Sequence, residues 1–230
     1  MRAGALAVCG WRCLVKFEAV LFDCDGVLVD SEAITNGILR DMLEEQGWTL
    51  TLQECMDIFV GNTVMDEQVQ IEVRTGQPLT HAWLMSFRER RNAALDADIQ
   101  AIANIHSTVS QLYDLTRGRI ACASGADRFK IELMLQKVGL AEYFEGRIFS
   151  GHEMPRSKPF PDVYLAAAAH LGVDPRRCAV VEDTITGLTA GVAAGATVFA
   201  YAPHGSGQHL LDAGASRVFA DMADLPGLLR

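Results

Sequence analysis

The chain has no run approaching the ~18 apolar residues that a membrane-spanning helix needs. It also has no C-x-x-C pair. Cys9, Cys13, Cys24, Cys55, Cys122 and Cys178 are scattered, several of them inside apolar runs. That spacing argues against a structural zinc site or a disulfide framework, and it fits a reducing cytoplasm in which Cys serves as a small core residue. Positive charge is scarce: 20 Lys and Arg stand against 29 Asp and Glu, for a formal net charge of -9. Nucleic acid and anionic membranes both require a basic footprint, so neither is an expected partner. An anionic small molecule would need a local positive pocket.

What is present describes a globular protein. Half of the 230 residues are hydrophobic and 21% are charged, a balance that can fill a core and that disordered chains lack. The length suits one large domain, or a core carrying a smaller one. Met1 to Leu14 is interrupted early and lacks a cleavage site, so it reads as an extension rather than a signal peptide.

Short apolar β-type runs recur at Phe17–Phe22, Arg119–Ala123, Arg147–Ser150, Cys178–Val181 and Thr197–Ala200. Helical patterns such as Arg128–Val138 and Val163–Leu171 lie between the later runs, with Gly139 and Gly172 as C-terminal stops. Strand alternating with helix predicts an α/β fold, a Rossmann-like parallel sheet with helices on both faces. Between Asp30 and about Asp98 the pattern is helical only: Glu32–Gln46, Leu52–Ile58, Val64–Arg74 and Thr80–Leu95, punctuated by Gly47, Gly61 and Gly76-Gln77-Pro78. A βαβ crossover needs only a dozen or so residues. The surplus predicts a small helical cap at 31–98, a catalytic core at 17–30 and 99–230, and an N-terminal extension at 1–16. Entering just after the first strand, the cap should lie over the carboxyl edge of the sheet, where open α/β folds bind ligands.

Four strand ends on that edge carry suggestive groups. Asp23-Cys24-Asp25-Gly26 follows the first run, and strand alternation turns both carboxylates to one side and Cys24 to the core. Two such charges in one space call for a cation or a shared proton. Ser124-Gly125 follows the second run, just before a helix whose amides can hold an anion. Lys158-Pro159 opens the helix after the third run, and Glu182-Asp183 ends the fourth. Each also has a bland reading: a solvated turn, a helix cap, a surface lysine. Their conjunction, one on each strand end, is what points to a reaction centre.

Together these motifs resemble those of the haloacid dehalogenase superfamily, in the subgroup whose helical cap follows the first motif. β-Phosphoglucomutase, phosphogluconate phosphatase and phosphoglycolate phosphatase are members. Asp23 to Glu32 is similar to the first motif, Ser124 to the second, Lys158-Pro159 to the third and Glu182-Asp183 to the fourth. The resemblance implies a phosphatase that uses Mg²⁺ and an aspartyl-phosphate intermediate. Asp23 would be the nucleophile, Asp25 the acid and base, and Asp23, Asp25 through its carbonyl, Asp183 and Glu182 the metal set. Ser124, Gly125 and Lys158 would bind the phosphoryl group. An acid at position 25 favours phosphatase over dehalogenase.

The resemblance also extends to the cap loop Phe59-Val60-Gly61-Asn62-Thr63, similar to the family's substrate-specificity loop. Gly61, Asn62 and Arg91 are the candidate specificity residues, although the run Arg88-Glu89-Arg90-Arg91 also reads as a solvated helix face. Thr35 and Val64 stand where the mutase has a histidine and an arginine, which favours hydrolysis over phosphosugar mutation. A non-catalytic phosphometabolite-binding protein is the reading of a different class. The implied partner is a small phosphorylated metabolite, a sugar phosphate or phosphorylated sugar acid, and a monomer is the default expectation. Trp48, Phe59, Trp83 and Phe87 read as cap core. Ala103-Asn104 replaces the family's usual Pro-Gly in the returning linker.

Overall fold

The computed structural model describes residues 16–230. All but the last residue of the expected extension, with Cys9 and Cys13, therefore lies outside the described residues. The first strand, β1 (Ala19–Phe22), is apolar at every position because it is covered on both faces. Its residues alternate between two packing clusters: Val20 and Phe22 on one side, Ala19 and Leu21 on the other. Full burial of side chains such as Leu21 and Phe22 contributes about 1.5–3 kcal/mol each.

Two short strands follow at the borders of the helical segment, β2 (Val29–Asp30) and β3 (Gln100–Ala101). Beyond them come β4 (Ile120–Ser124), β5 (Ile148–Ser150), β6 (Cys178–Glu182), β7 (Thr197–Tyr201) and β8 (Arg217–Phe219). Among the described residues these make a six-stranded sheet, ordered β5-β4-β1-β6-β7-β8, in which every pairing is parallel. The five expected runs are all strands of that sheet, and β8 is an addition. β1 is the switch point: β4 lies on one side of it and β6 on the other, so the crevice at its carboxyl end opens directly over Asp23.

Four helices from the insertion precede those of the core: α1 (Glu32–Glu44), α2 (Leu52–Phe59), α3 (Gln68–Thr75) and α4 (His81–Asp98). Next are α5 (Ile105–Leu115), α6 (Arg128–Lys137), α7 (Ala141–Phe144), α8 (Asp162–His170), α9 (Ile185–Ala193), α10 (Gln208–Asp212) and α11 (Leu225–Leu228). Residues of α5, α6, α7 and α11 pack with Val20 and Phe22, while α8, α9 and α10 cover Leu21. The second face is rich in alanine, which lets α8 and α9 approach the sheet closely.

The insertion has its own apolar cluster, in which Leu39, Met42 and Leu43 of α1 meet Trp48, Cys55, Phe59, Ile71 and Phe87. Trp83 packs on its edge. Thr51 and Glu54 form a reciprocal capping box that fixes the start of α2, and Gly76 in the left-handed region ends α3. α3 starts four residues later than the expected Val64, because Thr63 and Asp66 first close a local turn through mutual side-chain to backbone bonds. The two borders of the insertion meet: β2 and β3 pair antiparallel, Val29 opposite Ala101 and Asp30 opposite Gln100. Asn104, in the returning linker, takes a φ of 64°, a conformation Asn tolerates, and its side chain donates to Asp221 at 2.8 Å. No described helix is long and apolar enough to cross a membrane.

Candidate active site

Asp23 continues β1 by one residue and points to the α8 side of the sheet. Lys158, which arrives just before α8, donates from Nζ to Asp23 Oδ1 at 2.7 Å and to Glu182 Oε1 at 2.6 Å. Glu182, the last residue of β6, is fully buried and uses both oxygens. Tyr164 of α8 donates to Oε1 at 2.6 Å, and the Asp183 amide donates to Oε2 at 3.1 Å. Gly187 in the first turn of α9 closes over this carboxylate, and a Cβ there would fall 1.8 Å from Glu182 Oε1.

Carboxylate oxygens of Asp23, Glu182 and Asp183 come within 4.8 Å of one another. One ammonium thus faces three carboxylates. The imbalance shows in the proton affinities: burial, aided by Glu182 and Asp25 and opposed by Lys158, pushes Asp23 up to about 7. Burial and the neighbouring Glu182 and Asp23 push Asp183 well above the carboxylate range. Burial works against the charge on Lys158, but Asp23 and Glu182 outweigh it and hold the ammonium protonated. Asp183 Oδ1 is buried without a partner. The surplus of negative charge and this orphaned oxygen are what a divalent cation would satisfy, so the residues fit a metal.

Asp25 occupies different surroundings. Gly26 turns the chain with φ +71°, and a Cβ there would lie 2.0 Å from Asp183 Oδ2, so only glycine lets the turn close against that carboxylate. Asp25 Oδ1 accepts from Lys130 Nζ at 2.6 Å and from the Ser31 hydroxyl. Burial raises its pKa, but Lys130 and Ser31 win and the net shift is downward. Lys130 is itself buried on α6. Cys24 lies between the two acids in sequence but packs into the core with Phe22 and Cys122.

Ser124, at the end of β4, accepts from the Ala126 amide at 3.1 Å, which leaves its hydroxyl hydrogen free to donate. Ser124, Gly125, Lys158, Asp23 and Asp25 line one cleft of about 440 Å³. The opposite wall is the insertion: Glu32, Thr35 and Asn36 of α1, the loop from Phe59 to Asp66, and Arg88 and Arg91 of α4. Thr35 and Val64 both face this space.

The candidate specificity residues have distinct settings. A Cβ on Gly61 (φ +82°) would meet Thr184 and Thr186 at 3.5 Å, so the loop runs against α9. Asn62 is engaged within the loop, donating to Ile58 O and Glu67. Arg91 is buried and bridges to Asp127 of the core at 3.0 Å. The run 88–91 divides, with Arg88 and Arg91 on the cleft and Arg90 paired outside with Glu45 at 2.6 Å. His152 also lines the cleft, whereas Glu153 pairs with Arg128 at 2.5 Å.

The sequence motifs alone give no separate role to Lys130, Tyr164 or Ser31. The signal for Lys130 was available: it is a lysine among Ile131, Met134 and Leu135, on the buried side of its helix, where an ammonium must have a partner.

A family model described as haloacid dehalogenase-like hydrolase matches residues 17–195. The 6-phosphogluconate phosphatase of Escherichia coli is 29% identical over 192 residues, covering 82% of this chain and 85% of that protein. A conserved haloacid dehalogenase-like protein of unknown function from Agrobacterium tumefaciens superposes with a TM-score of 0.80 at 33% identity, covering 92% of this chain and 97% of that one. A haloacid dehalogenase family hydrolase from Deinococcus radiodurans, solved with bound phosphate and sodium, has a TM-score of 0.74 and 34% identity. The match covers 94% of this chain and 98% of that one.

Proposed function

The chain belongs to the haloacid dehalogenase-like hydrolase family, as a hydrolase of phosphoric monoesters, and we propose that it works with Mg²⁺ through an aspartyl-phosphate on Asp23. The observation that carries this reading is the imbalance around Asp23, where three carboxylates share one ammonium beside a cleft lined by Ser124 and Gly125. Asp23, Asp183 and the Asp25 carbonyl would hold Mg²⁺, with Glu182 as a further carboxylate. When bound, the ion neutralises charge on the phosphoryl group and on the carboxylates.

An Asp23 carboxylate oxygen attacks phosphorus. A new P–O bond forms to Asp23 as the bond to the ester oxygen breaks, and the leaving oxygen takes a proton from Asp25. Ser124 Oγ–H and the Gly125 N–H donate to phosphoryl oxygens, and Lys158 adds a fixed positive charge. Asp25 then removes a proton from water, which attacks phosphorus and releases Asp23 and orthophosphate. The resting Asp25 is a carboxylate beside Lys130, the form required by this second half. The first half needs it protonated, and the negative charge of an arriving phosphoryl group raises its pKa toward that form.

The substrate is a small sugar phosphate or phosphorylated sugar acid. The size of the cleft and the polar face of Glu32, Thr35 and Asn36 support that class, as does the similarity to a 6-phosphogluconate phosphatase. The test is hydrolysis of p-nitrophenyl phosphate with Mg²⁺ and with chelator. Asp23→Asn should remove turnover, and Asp25→Asn should lower it by ~10²–10⁴-fold. Full activity of purified Asp23→Asn protein with Mg²⁺ present overturns the nucleophile assignment.

A further inference from the structure

The cations along the cleft are nearly all taken. Lys158 is shared by Asp23 and Glu182, Lys130 is bonded to Asp25, and Arg91 bridges to Asp127. Arg88 is the exception: among the described residues it makes no salt bridge and no side-chain hydrogen bond, yet it lines the cleft. Three residues before Arg91 on α4, it shares that residue's face of the helix. Its other neighbours one turn away, Leu84, Met85 and Asn92, carry no charge.

The Arg88 charge helps lower the pKa of Asp127, yet the carboxylates lining this wall of the cleft hydrogen-bond to other groups. Asp127 caps α6 by accepting from the Lys130 amide at 3.0 Å and also holds Arg91. Asp66 accepts from the Thr63 amide at 2.7 Å, and Glu32 bonds Asn36. His152 lines the same wall, and partial desolvation together with Arg88 lowers its pKa, so it offers a neutral imidazole rather than a competing charge.

An unpaired guanidinium in a cleft that also holds the phosphoryl site is placed to bind a second anion. We propose that Arg88 is a specificity-determining residue, and that it selects phosphoesters carrying a further anionic group, a carboxylate or a second phosphoryl, at the end remote from the scissile bond. The proposal rests on the phosphatase reading of the same cleft. Arg88 and the imidazole of His152 would hold the remote group through charge-assisted hydrogen bonds.

The experiment compares two open-chain six-carbon monophosphates that differ only at the far carbon: 6-phosphogluconate, with a carboxylate, and glucitol phosphate, with a neutral hydroxymethyl group. A hexose bisphosphate supplies the second phosphoryl. The expected kcat/KM for an anionic probe exceeds that for glucitol phosphate by about 10- to 100-fold, mainly through KM. Whether the carboxylate or the bisphosphate is preferred identifies the anion. Arg88→Gln should bring the ratio close to one and Arg88→Lys should restore part of it. Arg90→Gln, in the same run but paired outside with Glu45, should keep it.

Equal kcat/KM for all probes in the wild type, or a preference that survives Arg88→Gln, overturns the proposal while leaving the phosphatase reading in place. Hydrolysis of none of the probes and of no p-nitrophenyl phosphate overturns the phosphatase reading instead. Whenever none of the probes is hydrolysed, calorimetric titration of the full chain with 6-phosphogluconate and glucitol phosphate decides the matter. Tighter binding of the acid that is lost in Arg88→Gln supports the role of Arg88, and equal affinities overturn it.

Discussion

Asp23 and Asp25 are separated by one residue and occupy electrostatically opposite regions. Around Asp23, three carboxylates share Lys158 and burial drives protons on; around Asp25, Lys130 and Ser31 serve one carboxylate and draw its proton off. The same side chain is thus given two chemistries by what the fold brings to it from far along the chain. Lys158 comes from the approach to α8 and Lys130 from α6. The first region holds more negative charge than its one ammonium offsets, and the second is balanced as it stands.

The largest effect that would test this contrast is on Lys158. Lys158→Met leaves Asp23 and the fully buried Glu182 without a counter-charge, and should cost about 3–5 kcal/mol in urea denaturation with chelator present. A loss no greater than that of Lys130→Met would break the comparison. Next comes Gly26→Ala, which places a methyl against Asp183 at a positive φ. Displacement of that carboxylate and backbone strain should together lower stability by about 1–3 kcal/mol, with a larger loss in Mg²⁺ affinity. Unchanged Mg²⁺ binding in this variant would detach Asp183 from the metal set.

Lys130→Met should cost less, about 1–2 kcal/mol, because Asp25 keeps Ser31 and borders the cleft, where water can solvate it. The smallest expected effect is a pH dependence. Asp23 and Asp183 bind protons more tightly when folded, so without a cation stability falls as pH rises above about 4, with the Asp23 contribution lost through about 7. A bound Mg²⁺ would replace those protons. The gain in Tm from millimolar Mg²⁺ should therefore be larger at about pH 8 than at about pH 5.5, each tenfold gain in affinity adding ~1.4 kcal/mol at saturation. A gain independent of pH would show that these carboxylates do not exchange protons for the ion.

The sheet was legible because its strands are covered on both faces and so appear as unbroken apolar runs ending in polar groups. The conjunction of Asp23, Ser124 and Asp183 was legible for the same reason, each ending or following such a run, whereas Lys158 lies in the loop that leads into α8. β2 and β3 were not, since two-residue strands have no periodicity to detect. β8, three residues beginning with an exposed Arg217, is nearly as faint. Lys130 and Tyr164 escaped because a buried polar group identifies its need but not its partner. The partners Asp25 and Glu182 lie 105 and 18 residues away. The basic run 88–91 looked uniform in sequence, and helical geometry divided it into two cleft-facing arginines and one turned away.

The small ladder between β2 and β3 brings the two borders of the insertion to one point on the core. A segment that leaves and returns at the same place asks nothing of the sheet about its length. The end-to-end separation is already set, and enlarging the loop costs only slowly more, about 0.6 kcal/mol for each doubling. The ladder is in effect a socket. Helices threaded between Asp30 and Gln100 can be lengthened, shortened or exchanged for others while β1 and the carboxylates above it keep their positions, so one wall of the cleft can be changed independently of the other.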